Sequence, residues 1–165
     1  MVVLGIDPGI ANTGYGLIEA DRTPLRLIDF GTITTSSQTE SPHRLKSIYD
    51  RLDRLASKHH PDYFVFEDLF FSKNVSSALA VGEARGIAKL VAANMNRDVF
   101  SYTPAHVKQS VVGFGKASKR QIQEMVKTLL RLDTIPHPDH AADALAVAIC
   151  HARSHKMLQL QERLS

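Results

Sequence analysis

Two apolar runs that each end in a carboxylate set the first constraint on how this chain can fold. Val2-Val3-Leu4-Gly5-Ile6 stops at Asp7, and Tyr63-Phe64-Val65-Phe66 stops at Glu67. Runs of this length and composition read as buried strands. An acid at the carboxyl end of each stands where open α/β sheets build their sites. If the two strands are neighbours, the carboxylates converge. Carboxylates do not sit beside buried apolar residues unless something satisfies their charge. A divalent cation is the simplest partner for several of them at once.

A third segment adds to this pair. His140 and Asp143 lie three residues apart at the start of His140-Ala141-Ala142-Asp143-Ala144-Leu145-Ala146. At that spacing they share one helix face, and the alanines let the helix approach a sheet closely. Together the four residues offer three carboxylates and an imidazole. Two divalent ions about 4 Å apart could bind such a set, one activating water and one stabilising the leaving oxygen of a phosphodiester. Each residue alone has a second reading. Asp7 could be a turn residue before Pro8-Gly9, and Glu67 the partner of a lysine. His140 and Asp143 could be ordinary residues of a helix first turn, where an acid suits the helix dipole. The joint pattern is more specific than its parts.

The remaining pattern predicts one domain over residues 1–165, its last ten or so residues forming a C-terminal tail. Strands are predicted over 2–7, 15–19 and 25–34, joined by short turns as an antiparallel meander. A helix follows, with Ser41 as N-cap and Pro42 at its first position. Its Leu45, Ile48, Leu52 and Leu55 mark a core face. Strand 63–67, a helix over about 76–93, strand 98–102 and a short helix from Pro104 come next. Gly113-Phe114-Gly115 is a flexible loop, Ser118 caps a helix to about Leu132, and a last helix covers about 140–154. The order βββαβαβααα predicts a mixed five-stranded sheet with helices on both faces.

Composition narrows the class. No apolar run approaches the roughly 20 residues of a membrane span. The N-terminus enters a strand with no basic region before it, so no secretory signal is expected. Cys150 is the one cysteine, which excludes an intramolecular disulfide and suggests a reducing compartment. It falls on an apolar helix face and reads as a buried structural thiol. The net charge of +3 is unevenly spread. Between His106 and Arg131 six basic residues face one acid, a net of +5, which leaves −2 for the rest. A basic segment beside an acidic site suits an enzyme acting on a polyanion, although such a segment alone could be a solvated helix face.

Several blocks then carry a resemblance: Gly5-Ile6-Asp7-Pro8-Gly9, Thr13-Gly14-Tyr15-Gly16, Pro61-Asp62-Tyr63, Lys73-Asn74, Val107-Lys108-Gln109, Val111-Val112-Gly113 and Ala141-Ala142-Asp143-Ala144-Leu145-Ala146. In this order, from Met1 to about Arg153, they resemble the RuvC family, bacterial Holliday-junction resolvases with an RNase H-like fold. The resemblance implies a cytoplasmic, nucleoid-associated homodimer that nicks two opposed strands of a four-way DNA junction with Mg²⁺ or Mn²⁺. It works beside the RuvA–RuvB branch-migration complex. The resemblance assigns metal-ligating and catalytic roles to Asp7, Glu67, His140 and Asp143. It makes Phe70 the aromatic that stacks on an unpaired base. Lys108 and Lys119 become DNA contacts near the scissile phosphate, with Lys73, Lys116 and Arg120 as further phosphate contacts. It also places the helix carrying Ala78, Gly82 and Gly86 at the dimer interface, where the bottom-up alternative is close packing of those small residues on the chain's own sheet.

His140 departs from an all-acid ligand set. Asp139 is adjacent and, four residues before Asp143, could face the site instead; the register of the Ala-Ala-Asp block favours His140. An imidazole supplies a softer nitrogen ligand and removes one negative charge, which favours Mn²⁺ over Mg²⁺. Three rival readings stand beside the resolvase. Asp7-x-Gly9-x-x-x-x-Gly14 resembles a phosphate loop of actin-like ATPases, but those need two related domains and a second such loop. The others are an RNase H-like nuclease acting on RNA, and a catalytically weak junction-binding module.

Overall fold

The computed structural model describes residues 1–21, 23–68 and 75–164, with side chains for all of these except 75–77 and 156–164. Five strands form one sheet: β1 (Val2–Asp7), β2 (Asn12–Glu19), β3 (Arg26–Thr34), β4 (Tyr63–Glu67) and β5 (Asp98–Tyr102). Their spatial order is β3-β2-β1-β4-β5. The first three are the predicted antiparallel meander, and β4 and β5 add in parallel to β1. Ile6 stands opposite Phe66, so Asp7 and Glu67 end neighbouring parallel strands on the same side of the sheet edge.

Helices α1 (Ser41–His59) and α2 (Val75–Asn94) cover one face; α3 (Pro104–Val112), α4 (Lys119–Leu130) and α5 (Asp139–Leu164) cover the other. On α1, the apolar spacing seats Ile48, Leu52 and Ala56 against Leu4, Ile6, Leu17 and Phe64. α5 lies across β1 and β2 and is almost continuously buried from Ala141 to Ala152. α3 and α4 pack on its outer side. A mixed sheet between two helical layers is the predicted architecture.

Three details differ from the sequence reading. β2 begins at Asn12 rather than Tyr15, because Asn12 and Thr13 pair with Thr34 and Ile33 of β3. The ladder overrides the poor strand preference of Asn and Gly. The turn after Asp7 is thereby only four residues long, held by Thr13 Oγ1 donating to the Gly9 carbonyl at 2.7 Å. On α1, Glu40 and not Ser41 is the N-cap, and it makes no side-chain capping bond. Ser41 is already helical, and the fixed φ of Pro42 starts the first turn without needing a donor. α5 continues ten residues beyond Ser154, to Leu164. By contrast, Ser118 caps α4 as expected, in a reciprocal capping box with Gln121.

Cys150 is buried and free, and burial pushes its thiol up to about 11, in line with a structural role. One buried polar residue on the same helix has a measurable consequence. His151 is 1% exposed. Its Nδ1 meets the Tyr102 hydroxyl at 2.9 Å, and its Nε2 has no hydrogen-bond partner among the described residues. Burial, with His155 adding repulsion, pushes its pKa down from 6.5 to about 4. The unfolded chain therefore binds the proton first as pH falls. Stability should be full above pH 6.5 and fall between 6.5 and 4, with a loss of roughly 2 kcal/mol between pH 7 and pH 5 from this group. Denaturant titrations at the two pH values, on the wild type and on His151→Gln, measure it. A variant with the same pH 5 loss as the wild type would remove His151 as its source.

Candidate active site

The site is built where β1 and β4 end under the first turn of α5. The helix reaches the sheet so closely because both surfaces lack side chains at the contact. Gly5 and Gly16 are directly paired, and Gly14 stands opposite Asp7. A Cβ on Gly14 would lie 2.0 Å from the His140 carbonyl oxygen, and one on Gly5 would lie 2.0 Å from that of Ala144. Glycine is required there by space, not by φ. The buried alanines Ala141, Ala144 and Ala148 complete the fit from the helix side. The consequence is direct: His140 is laid over the end of β1, and its Nδ1 is 2.7 Å from Asp7 Oδ2.

The other two carboxylates sit within electrostatic reach. Burial raises the Asp7 pKa, and the charge of Asp143 adds to this, against the lowering effect of the His140 bond. Burial also raises that of Glu67, with further repulsion from Asp143 and Asp7 and partial relief from Lys108. Three mutually repelling carboxylates are a site short of positive charge. Part of the deficit is met by Lys119 at the start of α4, whose Nζ lies 3.0 Å from Asp143 Oδ2 and 3.2 Å from Asp139 Oδ2. Burial works against this ammonium, but its bonds to the two carboxylates prevail and hold its pKa above the usual lysine value.

The donor set suits a hard or borderline divalent cation: carboxylate oxygens plus one imidazole. Among the described residues, no three His, Cys, Asp or Glu side chains close on one point in the protein alone. The direct contact is the Asp7–His140 pair, with Glu67 and Asp143 around it. Asp139 does not replace His140. It is exposed at the start of α5, where Lys119 and Gln123 bind it and the lysine bond holds its pKa below the usual carboxylate value.

The predicted DNA-contacting residues divide. Lys108 is half-buried and close enough to lower the Glu67 pKa. Lys119 is bonded into the site. Lys116 and Arg120 are exposed, and Arg120 pairs with Glu124 at 3.3 Å. Phe70 and Lys73 lie outside the described residues. Gly82 and Gly86 do not pack on the sheet: among the described residues a Cβ at either would meet nothing within 4 Å, while Ala78 is half-buried. Leu79 and Leu90 are exposed on the same helix, beside exposed Glu83 and Lys89.

Sequence reasoning passed over Arg85. Its Nη1 donates to the Glu67 carbonyl at 2.5 Å and its Nη2 to Ser101 Oγ at 2.7 Å; its guanidinium stacks over Phe66 at 5.1 Å. It thereby ties α2 to the ends of β4 and β5 directly behind Glu67. The available signal was a lone arginine among inward-facing Ala84 and Ala88.

A family model described as crossover junction endodeoxyribonuclease RuvC matches residues 3–151. A protein of that name from Alkaliphilus oremlandii is 53% identical over 160 residues, 97% of this chain and 98% of the relative. One from Ruminiclostridium cellulolyticum is 50% identical over 157 residues, 95% of each chain. Among solved structures, Thermus thermophilus RuvC in complex with a Holliday junction substrate superposes with a TM-score of 0.91 at 35% identity. The alignment covers 95% of this chain and 96% of that one. The yeast mitochondrial Holliday junction resolvase Ydc2 shares the fold, with a TM-score of 0.71 at 16% identity over 98% and 82%. The sheet order, the acidic strand ends and these matches agree: the chain has the RNase H-like resolvase fold and belongs to the crossover junction endodeoxyribonuclease RuvC family.

Proposed function

We propose that this protein is a structure-selective endonuclease that resolves four-way DNA junctions by paired symmetric nicks, in recombination and repair. The observation that carries the reading is the Asp7–His140 contact with Glu67 and Asp143 around it, flanked by Lys108 and Lys119. Asp7, Glu67, His140 and Asp143 would hold two Mg²⁺ or Mn²⁺ ions, which activate a water and stabilise the leaving oxygen when bound. Asp7, the carboxylate in direct contact with His140, would help to hold them. Arg85 fixes the Glu67 backbone, and His140 holds the Asp7 carboxylate in one orientation. Lys119, bonded to Asp143 and Asp139, would bind a phosphate oxygen beside the scissile bond.

Lys108, Lys116 and Arg120, with Lys73 and the base-stacking Phe70 from the resemblance, would supply the remaining DNA contacts. Two symmetric nicks need two symmetric sites. The outward face of α2, from Leu79 through Gly82 and Gly86 to Leu90, with exposed Val99 on the same side of β5, is the surface on which a homodimer would close. No helix among the described residues is long and apolar enough to cross a membrane. A cytoplasmic enzyme working beside RuvA–RuvB fits this reading.

The test is cleavage of a synthetic junction with a short mobile core, against linear duplex, with Mn²⁺ and Mg²⁺ separately. Paired symmetric nicks in the junction alone are expected, with faster turnover in Mn²⁺ because His140 contributes a nitrogen donor. Equal or faster turnover in saturating Mg²⁺ would remove the metal preference. Junction binding with no cutting would leave a binding module, and cutting of structured RNA instead would replace the substrate.

A further inference from the structure

The loop between α3 and α4 carries a large aromatic side chain that the fold does not use. Gly113 turns the chain at φ 99, a conformation that favours glycine, and its N–H donates to the Gln109 carbonyl at 2.9 Å. The Gln109 side-chain amide in turn donates to the Gly113 carbonyl at 2.7 Å. At the other end the Ser118–Gln121 capping box fixes the start of α4. Both ends of the loop are therefore held, while Phe114 between them is 46% exposed. It belongs to neither core cluster and makes no aromatic pair among the described residues. Its flanking residues add no bulk: Gly113 faces open space, and a Cβ on Gly115 would only graze the Ala105 carbonyl at 3.7 Å.

The surroundings of Phe114 say what it could bind. Lys116 follows it two residues later and is exposed. Lys119, five residues on, reaches Asp143 in the site. Lys108, on the preceding helix, is within electrostatic reach of Glu67. An exposed phenyl ring on a loop whose flanking segments carry these cations is the pattern of a single-strand platform, in which lysines take phosphates and aromatics take the base faces between them. An acidic protein partner would use the cations and leave the ring without a role.

We propose that Phe114 is a base-stacking subsite, distinct from Phe70, that receives an unpaired nucleobase of the strand whose phosphate lies at Asp7 and Asp143. This rests on the junction-resolving reading and adds a specificity element to it. The branch point is the part of a four-way junction where bases can leave their stack. A ring held at the tip of a loop anchored at both ends can meet such a base with little ordering cost.

The chain has no tryptophan, so Phe114→Trp introduces a single fluorophore at the subsite. Binding is followed independently by the anisotropy of a labelled junction arm, in EDTA so that nothing is cut. Junction binding should quench the tryptophan, and linear duplex should not. Phe114→Ala should bind the junction about ten-fold more weakly, with duplex affinity unchanged, and Phe114→Tyr should restore it. A junction bound with wild-type affinity by Phe114→Ala, or without quenching in Phe114→Trp, overturns the subsite and leaves the resolvase reading intact. Equal quenching by duplex overturns the unpaired-base assignment. An anisotropy that does not rise with junction for the wild type overturns both.

Discussion

Gly14→Ala is expected to destabilise the protein by more than about 3 kcal/mol and to abolish cleavage. Overpacking a core usually costs about 1–3 kcal/mol, because neighbouring side chains can shift. Here the added carbon would lie 2.0 Å from the His140 carbonyl oxygen, 2.4 Å from its carbonyl carbon and 2.9 Å from its Cβ. The obstacle is helix backbone, so relief requires lifting the N-terminus of α5 off β2. That movement breaks the 2.7 Å contact between His140 and Asp7 and carries Asp143 away with it. Thermal melting and nicking of a junction with Mn²⁺ test this together. Wild-type melting combined with full nicking would show that the approach of α5 is looser than the geometry requires.

Asp7→Asn should produce the largest loss of activity without loss of the fold. Asparagine has the same shape, and its side-chain oxygen can still face His140 Nδ1, so the local geometry has no reason to change. What is lost is one of the three negative charges that would hold the cations. Nicking should fall at least about a hundredfold. Junction affinity should persist or rise slightly, since on the proposed reading binding rests on Lys108, Lys116 and Lys119 and the site repels phosphate less once one carboxylate is gone. Gel-shift titration of a junction in EDTA, beside single-turnover cleavage, separates the two. Loss of binding by a folded Asp7→Asn protein would show that the carboxylate, or a cation held by it, is needed to dock the junction.

Much of this molecule was legible before its structure was known. The acids at the ends of two apolar runs could be read because strand burial is written in hydrophobicity and the break at a carboxylate is abrupt. Ser118 announced the start of α4 because N-capping is a local interaction between a side chain and the backbone a few residues on. Where local rules compete, boundaries moved: Asn12 joined β2 because β3 offered it a partner, and Glu40 took the cap from Ser41 because Pro42 had already fixed the helical backbone.

Other features depend on residues far apart in the chain. Nothing near Gly14 says that its missing side chain makes room for the backbone of His140, 126 positions away. Arg85 reads as a surface charge until α2 is laid behind β4. Gly82 and Gly86 fit inward packing and outward exposure equally well on a helical wheel, and only the docking of α2 turned them to solvent. Asp139, four residues before Asp143, stood as an alternative to His140; the rotation of α5, set by glycine and alanine contacts along β1 and β2, put the imidazole on Asp7 and left Asp139 to Lys119. The sequence by itself determined the strands, the helices and the chemical types of the site, because those follow from local hydrophobicity and chain stereochemistry. Which of those groups meet was decided by tertiary packing alone, because contact between distant segments depends on how closely their backbones can approach.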